Sequence, residues 1–467
     1  MTACVVGGLF ALLATLVVLG WKPLQSVDES VVAALNPTVS STPWLAHALG
    51  LFTDLGGSLV TWALLLLALG WLLIRREPAL AAYVGVAGLG ALSLTTGVKA
   101  WVERGRPVVD TTVAAAPGLS FPSGHALSST VTYGVLLLVF LPAVAARLRK
   151  PAIFAVAALV IAIGLTRIAL GVHYPSDVLG GWLLGVLWLL VSAMAFRRWH
   201  EKAGLGRPPL TEGLEPEEHD RLVPAPAHDA PLPAGWHSVS RLMVAAVLIW
   251  GALAGAGLLI TEQIATVRQW DTAVAKWFAS IRSESITPVM LNASRFGDTI
   301  TIVAVVAIAV VAALALTRRW RPALFLVVAV VGESLLFLAS SSVVGRSRPS
   351  VEHLTPGLPP TSSFPSGHVA ATTAAYGAIA LLIVFLLHRW WRFLAVAVAA
   401  LIVLSVVVSR LYIGVHYLTD TLASVIYACT WLAVCWWIFL PAAGTNDDQS
   451  GHISSRAEPG SRSVMAR

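Results

Sequence analysis

Long apolar runs separated by short polar segments dominate the pattern of this chain. A helix rises about 1.5 Å per residue, so about 20 apolar residues cross a hydrocarbon core of about 30 Å. The pattern therefore predicts an all-α polytopic membrane protein with about twelve transmembrane helices. The runs lie at residues 3–20, 58–74, 79–101, 124–147, 151–171, 177–196, 242–261, 299–316, 322–343, 367–387, 393–411 and 420–440.

A polar segment divides the twelve runs into two groups of six. Residues 199–240 are rich in Pro, Glu and His, which is typical of a flexible linker. The polar residues 441–467 are expected to form a disordered tail. We therefore predict two six-helix domains, at residues 1–198 and 241–440. The first run lacks a basic start and a clear cleavage site, so we expect it to be a retained span.

Short basic clusters predict the orientation in the membrane. Arg75–Arg76 and Arg197–Arg198 follow the second and sixth runs, and Arg318–Arg319 follow the eighth. Basic loops face the cytosol, so these helix ends, the linker and both termini are predicted to be cytosolic. The other loops then face outward. We expect a multi-pass protein of the plasma (inner) membrane.

Composition agrees with a bilayer environment. Of the 467 residues, 57% are hydrophobic and only 12% are charged, about half the share in soluble domains. The formal net charge of +7 comes mostly from short clusters between apolar runs. Such clusters attract anionic lipids, so the expected partners are the bilayer and a lipid substrate, without nucleic acid. The three cysteines have neither a disulfide framework nor a metal-binding spacing.

The sequence contains an internal repeat. Phe121–His125 reads FPSGH and returns as Phe364–His368, while Arg167–Asp177 returns in similar form as Arg410–Asp420. The histidines of both segments are separated by the same offset of 243 positions. Six spans are an even number, so both copies point the same way. This predicts two parallel six-helix bundles, unlike the inverted repeats of many transporters.

Three polar clusters in the first copy suggest a phosphate site. Lys99, Arg106 and Arg167 are three cations near predicted outer helix ends, and arginine offers two parallel donors to a phosphate. Ser123 stands where an N-cap belongs. The backbone N–H groups after it, beginning with Gly124, would face an anion along the helix dipole.

Two histidines and a carboxylate complete the set. Asp177 follows His173 by four residues, close enough to bond one ring nitrogen and leave the other free to attack phosphorus. His125 arrives on another helix and would protonate the departing alcohol oxygen. A protonated acid beside an unprotonated nucleophile predicts a pH optimum between mildly acidic and neutral.

These motifs resemble those of the type 2 phosphatidic acid phosphatase superfamily. The pattern is Lys-x6-Arg-Pro, then Pro-Ser-Gly-His, then Arg-x5-His-x3-Asp. The resemblance implies that His173 forms a phosphohistidine, Asp177 orients it, and His125 serves the leaving group as an acid. It implies no metal and no other cofactor. It also implies a set of residues that hold the phosphate oxygens: Lys99, Arg106, Ser123, Gly124 and Arg167.

The second copy matches the same motifs with one exception. Ser341 stands where the first copy has Lys99, so one of three cations is missing. Losing it should weaken stabilisation of the transition state. The matching residues are catalytic His416, His368 and Asp420, and phosphate-binding Arg348, Ser366, Gly367 and Arg410.

The expected function is hydrolysis of a lipid phosphomonoester or diphosphate at the outer face. Phosphatidic acid and polyprenyl diphosphates are the candidate substrates, and the sequence leaves their identity open. Three alternatives remain: transfer of the phosphoryl group to a lipid acceptor, a transporter or flippase, and a non-catalytic second copy. A transporter predicts ionisable groups near the bilayer midplane, whereas most polar clusters here lie at helix ends.

Overall fold

The computed structural model describes residues 2–109, 118–200, 209–355, 362–387 and 390–440. Within these ranges the chain is helical and contains no β-strand. It forms two compact units, Met1–Pro226 and Ala227–Arg467. The all-α prediction is confirmed. The predicted tail at residues 441–467 lies outside the described residues.

The first unit contains nine α-helices within its described residues. They are α1 (Thr2–Val18), α2 (Lys22–Ser40), α3 (Pro43–Thr53), α4 (Ser58–Ile74), α5 (Pro78–Val102), α6 (Gly124–Phe140), α7 (Ala146–Ala169), α8 (Pro175–Trp199) and the short α9 (His219–Leu222).

The second unit repeats the order of the long helices. They are α10 (Trp236–Leu258), α11 (Ala265–Ser280), α12 (Thr287–Ser294), α13 (Thr299–Thr317), α14 (Trp320–Val344), α15 (Gly367–Leu386), α16 (Trp391–Ile413) and α17 (Leu418–Phe439).

Eleven helical segments are long and apolar enough to cross a membrane, and the described residues offer a twelfth candidate in a bent pair. That pair is α1 and α2, which meet at an angle of 88°. Gly20 lies between them with φ +62°, a left-handed conformation that glycine adopts without steric cost. The predicted number of about twelve spans is therefore confirmed.

Each unit contains an amphipathic helix, directly after its first apolar helix, that was not predicted. Helix α2 is mostly exposed and about half polar, yet it buries Asp28, Val32, Asn36 and Val39. Helix α11 similarly buries Asp271 and Ala275. Neither is a continuous apolar run, so a search for membrane spans passes over both. They matter because each carries a buried aspartate toward the site.

The same close contact recurs inside each unit. A Cβ on Gly90 would lie 2.0 Å from the Trp188 ring, and one on Gly332 would lie 2.2 Å from Trp431. Both indole N–H groups donate to backbone carbonyls of the facing helix, at 2.9 Å from Trp188 and 3.1 Å from Trp431. The duplication therefore extends to helix packing as well as to motifs.

Parts of the predicted linker contact the units. Leu214 N donates to Leu138 O at 2.9 Å, and Arg197 donates to Gly213 O at 2.7 Å. In the second unit, Trp320 N donates to Asp229 at 2.7 Å. The domain limits and the flexibility of residues 199–240 stay predictions, and residues 201–208 lie outside the described ranges.

Candidate active site

Four helix ends meet at one end of the first unit. They are the C-terminal ends of α5 and α7 and the N-terminal ends of α6 and α8, as the motif positions show. A cavity of about 320 Å³ lies among them. Six of the predicted site residues line it: Lys99, Arg106, Gly124, His125, Arg167 and His173.

The two ring nitrogens of buried His173 have different neighbours. Nδ1 lies 3.4 Å from Oδ2 of Asp177, and Nε2 lies 3.1 Å from Nη1 of Arg106. A guanidinium only donates, so Nε2 accepts and the ring hydrogen belongs on Nδ1, beside the carboxylate. Burial lowers the pKa of His173 to about 4, although Asp177 opposes the shift. The lowered pKa favours an uncharged ring at neutral pH, with a lone pair on Nε2.

The Asp177 carboxylate is fully buried and held through both oxygens. Oδ1 accepts from Arg104 Nη1 at 2.7 Å. Oδ2 accepts from the Tyr174 backbone N–H at 2.9 Å and from the Ser120 hydroxyl. The first turn of α8 also favours a negative charge. These contacts fix the carboxylate in the orientation that faces His173.

Two buried donors beside the cavity lack a partner within the described residues. They are the hydroxyl of Ser123, which is the N-cap of α6, and Nε of Arg167. Leaving a buried polar group unpaired costs about 1–3 kcal/mol. A phosphate at the N-terminus of α6 would supply acceptors for both donors. This part of the site has the chemistry of an oxyanion cradle.

The other two cations are tethered to backbone carbonyls. Lys99 Nζ donates to Leu119 O at 2.8 Å. Arg106 donates to Gly118 O at 3.0 Å and to Val172 O at 2.7 Å. These tethers hold both positive charges at the cavity wall, where they would neutralise a phosphoryl group.

A buried ionic network behind His173 was missed by the sequence analysis. Arg104 joins two carboxylates, with Nη2 2.7 Å from Asp28 Oδ2 and Nη1 2.7 Å from Asp177 Oδ1. Its guanidinium lies 4.3 Å from the centre of the Tyr174 ring. Asp28 also accepts from the Ser176 backbone N–H at 2.9 Å. Helix α2 is thereby linked to the carboxylate that faces His173.

The repeat contained a signal for this network. Asp28 and Asp271 share the offset of 243 found for the histidines, and Arg104 has its counterpart in Arg346. An aspartate that recurs in a polar segment with the same offset as the histidines indicates a retained role. Apart from this offset, no local motif identifies it.

The second unit places His416 in a related arrangement, in which a backbone carbonyl holds the ring more closely than the carboxylate does. Nδ1 of His416 donates to Ser363 O at 2.7 Å and lies 3.7 Å from Asp420 Oδ2. A carbonyl only accepts, so the hydrogen is again on Nδ1 and Nε2 carries the lone pair. Burial lowers the pKa of His416 below its usual value. The network is also repeated, because Arg346 pairs with Asp420 at 2.5 Å and Asp271 at 2.7 Å.

The second cavity is larger and differs in its lining. Its volume is about 790 Å³. It contains the predicted residues Arg348, Gly367, His368, Arg410 and His416. Within the described residues, the Ser366 hydroxyl and Arg410 Nε lack partners, as do their counterparts in the first unit.

Across the described ranges, no group of three or more His, Cys, Asp and Glu side chains is arranged to hold a metal ion. The carboxylate beside His173, that of Asp177, is joined to Asp28 through Arg104, so an arginine occupies the space between the two carboxylates.

Comparison with known proteins agrees with this geometry. The PAP2 superfamily matches residues 79–201 and 322–442, which together make up more than half of the chain. The chain therefore belongs to the PAP2 superfamily and carries two tandem copies of its domain.

Similar proteins include enzymes named as lipid phosphatases. Phosphatidylglycerophosphatase B of Bacillus subtilis is 31% identical over 169 residues, 35% of this chain and 80% of that protein. Decaprenylphosphoryl-5-phosphoribose phosphatase of Mycobacterium tuberculosis is 34% identical over 158 residues, 33% of this chain and 82% of that protein. A crystal structure of a transmembrane PAP2 type phosphatidylglycerolphosphate phosphatase from Bacillus subtilis is 23% identical, with a TM-score of 0.36. It covers 41% of this chain and 92% of its own. The relatives support a membrane lipid phosphatase.

Proposed function

We propose that this protein hydrolyses lipid phosphomonoesters or diphosphates through a phosphohistidine, without a metal ion. One observation carries the proposal. The uncharged His173, with its Nε2 lone pair, lines the same cavity as Arg167, whose buried Nε lacks a partner in the described structure. A nucleophile and unsatisfied donors for an anion in one cavity are the two parts that phosphoryl transfer requires.

In the first step, Nε2 of His173 attacks phosphorus. A P–N bond forms while the P–O bond to the lipid breaks, and its electron pair goes to the lipid oxygen. His125 gives that oxygen a proton, so the lipid leaves as an alcohol. The cations Lys99, Arg106 and Arg167 stabilise the charge on the three remaining phosphoryl oxygens.

In the second step, water attacks the phosphorus of the phosphohistidine. His125 has lost its proton to the lipid and now accepts one from the water. The P–N bond breaks and its electron pair returns to His173. Asp177 bonds the Nδ1–H throughout and compensates the positive charge of the substituted ring. Inorganic phosphate is the second product.

The relatives guide the choice of substrate. The two phosphatases are named for phosphatidylglycerophosphate and decaprenylphosphoryl-5-phosphoribose. Both names support a phosphate on a lipid as the substrate class. Phosphatidic acid and polyprenyl diphosphates such as undecaprenyl diphosphate complete the candidate panel. We propose the same reaction for the second unit, with His416 as nucleophile, Asp420 as its orienting carboxylate and His368 as acid.

The test measures phosphate release from each lipid of this panel in the presence of a metal chelator. The parent is compared with His173→Ala, His416→Ala and the double variant. His47→Ala serves as control, because this histidine is exposed on α3. We expect the double variant to lose activity and the control to keep it. An undiminished rate in the double variant would rule out the histidine mechanism, and turnover that depends on an added alcohol would indicate a transferase.

We propose that the sites face outward from the plasma membrane, with both termini cytosolic. The basic pair Arg75–Arg76 precedes α5, whereas Lys99 lies in its last turn, so the two lie at opposite ends of one span. The test places one cysteine at exposed Val108 or Arg198 in a variant without native cysteines. A membrane-impermeant thiol reagent should label Val108→Cys in intact cells and spare Arg198→Cys. The reverse pattern would overturn the orientation.

A further inference from the structure

A short turn borders the site in each unit, and the contacts of the two turns allow their residues to be matched one by one. The residue before each turn accepts a hydrogen bond from the site arginine. Arg167 Nη1 lies 3.2 Å from Thr53 Oγ1, and Arg410 Nη1 lies 3.0 Å from Ser294 Oγ. The turns themselves are Asp54–Gly56 and Arg295–Gly297.

The glycines of the two turns confirm this correspondence. A Cβ on Gly56 would lie 3.4 Å from the His125 carbonyl oxygen and 3.6 Å from its Cβ. A Cβ on Gly297 would lie 3.0 Å from both of these atoms in His368. Each turn therefore packs against the acid histidine of its own unit, and equivalent positions differ by 241 in number.

The cation that motif comparison shows as missing is not replaced from α14. Ser341 is buried and uncharged where the first unit has Lys99. One turn earlier, Phe337 stands where the first unit has Thr95. A Cβ on Gly367 would lie 3.0 Å from the Phe337 ring, so an aromatic wall now borders the N-terminus of α15.

The turn, however, has gained a positive charge. Arg295 stands at the position of Asp54, and Asp298 stands at the position of Gly57. These two differences and the loss of the lysine cancel in formal charge. We call these three positions the rim of the cavity. The paired positions are Asp54 and Arg295, Gly57 and Asp298, and Lys99 and Ser341.

The side chain of Arg295 is placed where it can bind a ligand. It is exposed and lines the same cavity as His368, Arg410 and His416. The neighbouring Asp298 is engaged by His368, with Oδ1 3.2 Å from Nε2. A guanidinium at a cavity wall presents a planar fork of donors that matches two phosphate oxygens.

We infer that Arg295 is a phosphate ligand of the second site and supplies there the third cation that Lys99 supplies in the first. The inference rests on the proposed function of the second unit. Positive charge has moved from the end of α14 to the turn before α13. The second unit therefore keeps three cations for a lipid phosphate, Arg295, Arg348 and Arg410, and is not a copy with a weakened site.

The kinetic test uses a His173→Ala background, in which phosphate release reports the second unit. Arg295→Ala should lower kcat/KM about 10-fold to 100-fold, and Arg295→Lys should recover part of it. Adding Ser341→Lys and Phe337→Thr to Arg295→Ala should also recover activity, because a cation returns at the position of Lys99. Lys276→Ala removes an exposed charge of α11 outside the cavity and should have no effect.

A binding test separates this inference from the catalytic proposal. Inorganic phosphate is titrated calorimetrically into purified protein carrying His173→Ala and Arg167→Ala, which disable the first site. Arg295→Ala should weaken phosphate binding at least 10-fold. Unchanged binding, or no binding before Arg295 is replaced, would overturn the inference. Absent phosphate release with intact, Arg295-dependent binding would instead refute only catalysis by the second unit.

Discussion

The ionic network behind His173 and His416 is nearly identical in the two units, whereas the charged rim of the cavity is rearranged. In each unit an arginine bridges an aspartate from an amphipathic helix and the aspartate that orients the histidine. The distances are 2.7 and 2.7 Å in the first unit and 2.7 and 2.5 Å in the second. The two networks are Asp28, Arg104 and Asp177, and Asp271, Arg346 and Asp420.

Burial explains why one region has been kept and the other has changed. The four aspartates of the networks are at most 2% exposed, and removing one member would leave a buried charge unpaired. Arg295 and Asp298 instead border solvent at the mouth of a cavity. Charges there are exchanged at little cost to folding, so the rim is where the two copies of the domain diverge.

The largest effect is expected from the orienting carboxylates. In a His416→Ala background, Asp177→Asn should lower kcat of the first unit about 10³-fold to 10⁴-fold, because an amide no longer fixes the ring tautomer. Asp420→Asn in a His173→Ala background should also cost more than 10-fold, although the Ser363 carbonyl holds the Nδ1–H of His416 as well. Phosphate release measures both. A large loss in one unit and less than 10-fold in the other would show that the shared network does not have a shared role.

A second substitution converts the rim of the first unit toward that of the second. In the His416→Ala background, Lys99→Ser should lower kcat/KM about 100-fold, because one cation of the transition state is lost. Adding Asp54→Arg should recover part of the loss. Lys22→Ala, an exposed charge at the start of α2, is the control. Failure of Asp54→Arg to recover any activity would contradict the proposed exchange of cations.

A third prediction concerns the positioning role of Asp28. Asp28→Asn should lower kcat of the first unit about 10-fold to 100-fold with little change in KM, because Arg104 loses the partner that aims it at Asp177. Asp28→Glu should recover part of kcat. Glu29→Gln, an exposed neighbour on α2, should have no effect. If all three variants changed kcat to the same extent, in step with their thermal unfolding temperatures, Asp28 would have only a structural role.

The smallest effect is expected from acidification. Because the pKa of His173 is lowered to about 4, the nucleophile stays unprotonated until the pH falls toward that value. In the His416→Ala background, kcat/KM should not decrease between pH 7 and pH 5. The measured rates are corrected for the second ionisation of the lipid phosphate, which phosphorus NMR follows. An acid limb with a midpoint near 6.5 would show that His173 titrates as a solvated histidine.

Much of this arrangement could be predicted from the sequence. The apolar runs predicted the spans, because every transmembrane helix must cover the hydrocarbon thickness with apolar residues. The motifs predicted a cluster of cations and histidines, and the structure places Lys99, His125 and His173 around one cavity. Their catalytic roles stay proposals.

The rest depended on contacts that sequence patterns do not carry. Asp28 meets Arg104 across 76 positions, and no spacing rule links a polar segment to a distant arginine. Motif comparison likewise revealed the loss at Ser341 but not the gain at Arg295. Arg295 lies in a turn that contains none of the motifs. Only the fold brings it to the cavity that the motif residues line.

The most direct test of the central claim is chemical detection of the phosphohistidine. A lipid phosphate labelled with ³²P is mixed with the protein in a metal chelator and quenched in alkali, which preserves a phosphoramidate bond. We predict alkali-stable, acid-labile label on His173 in the His416→Ala variant and on His416 in the His173→Ala variant. Phosphate release by these variants without any protein-bound label, under conditions that trap a phosphohistidine standard, would contradict the covalent mechanism.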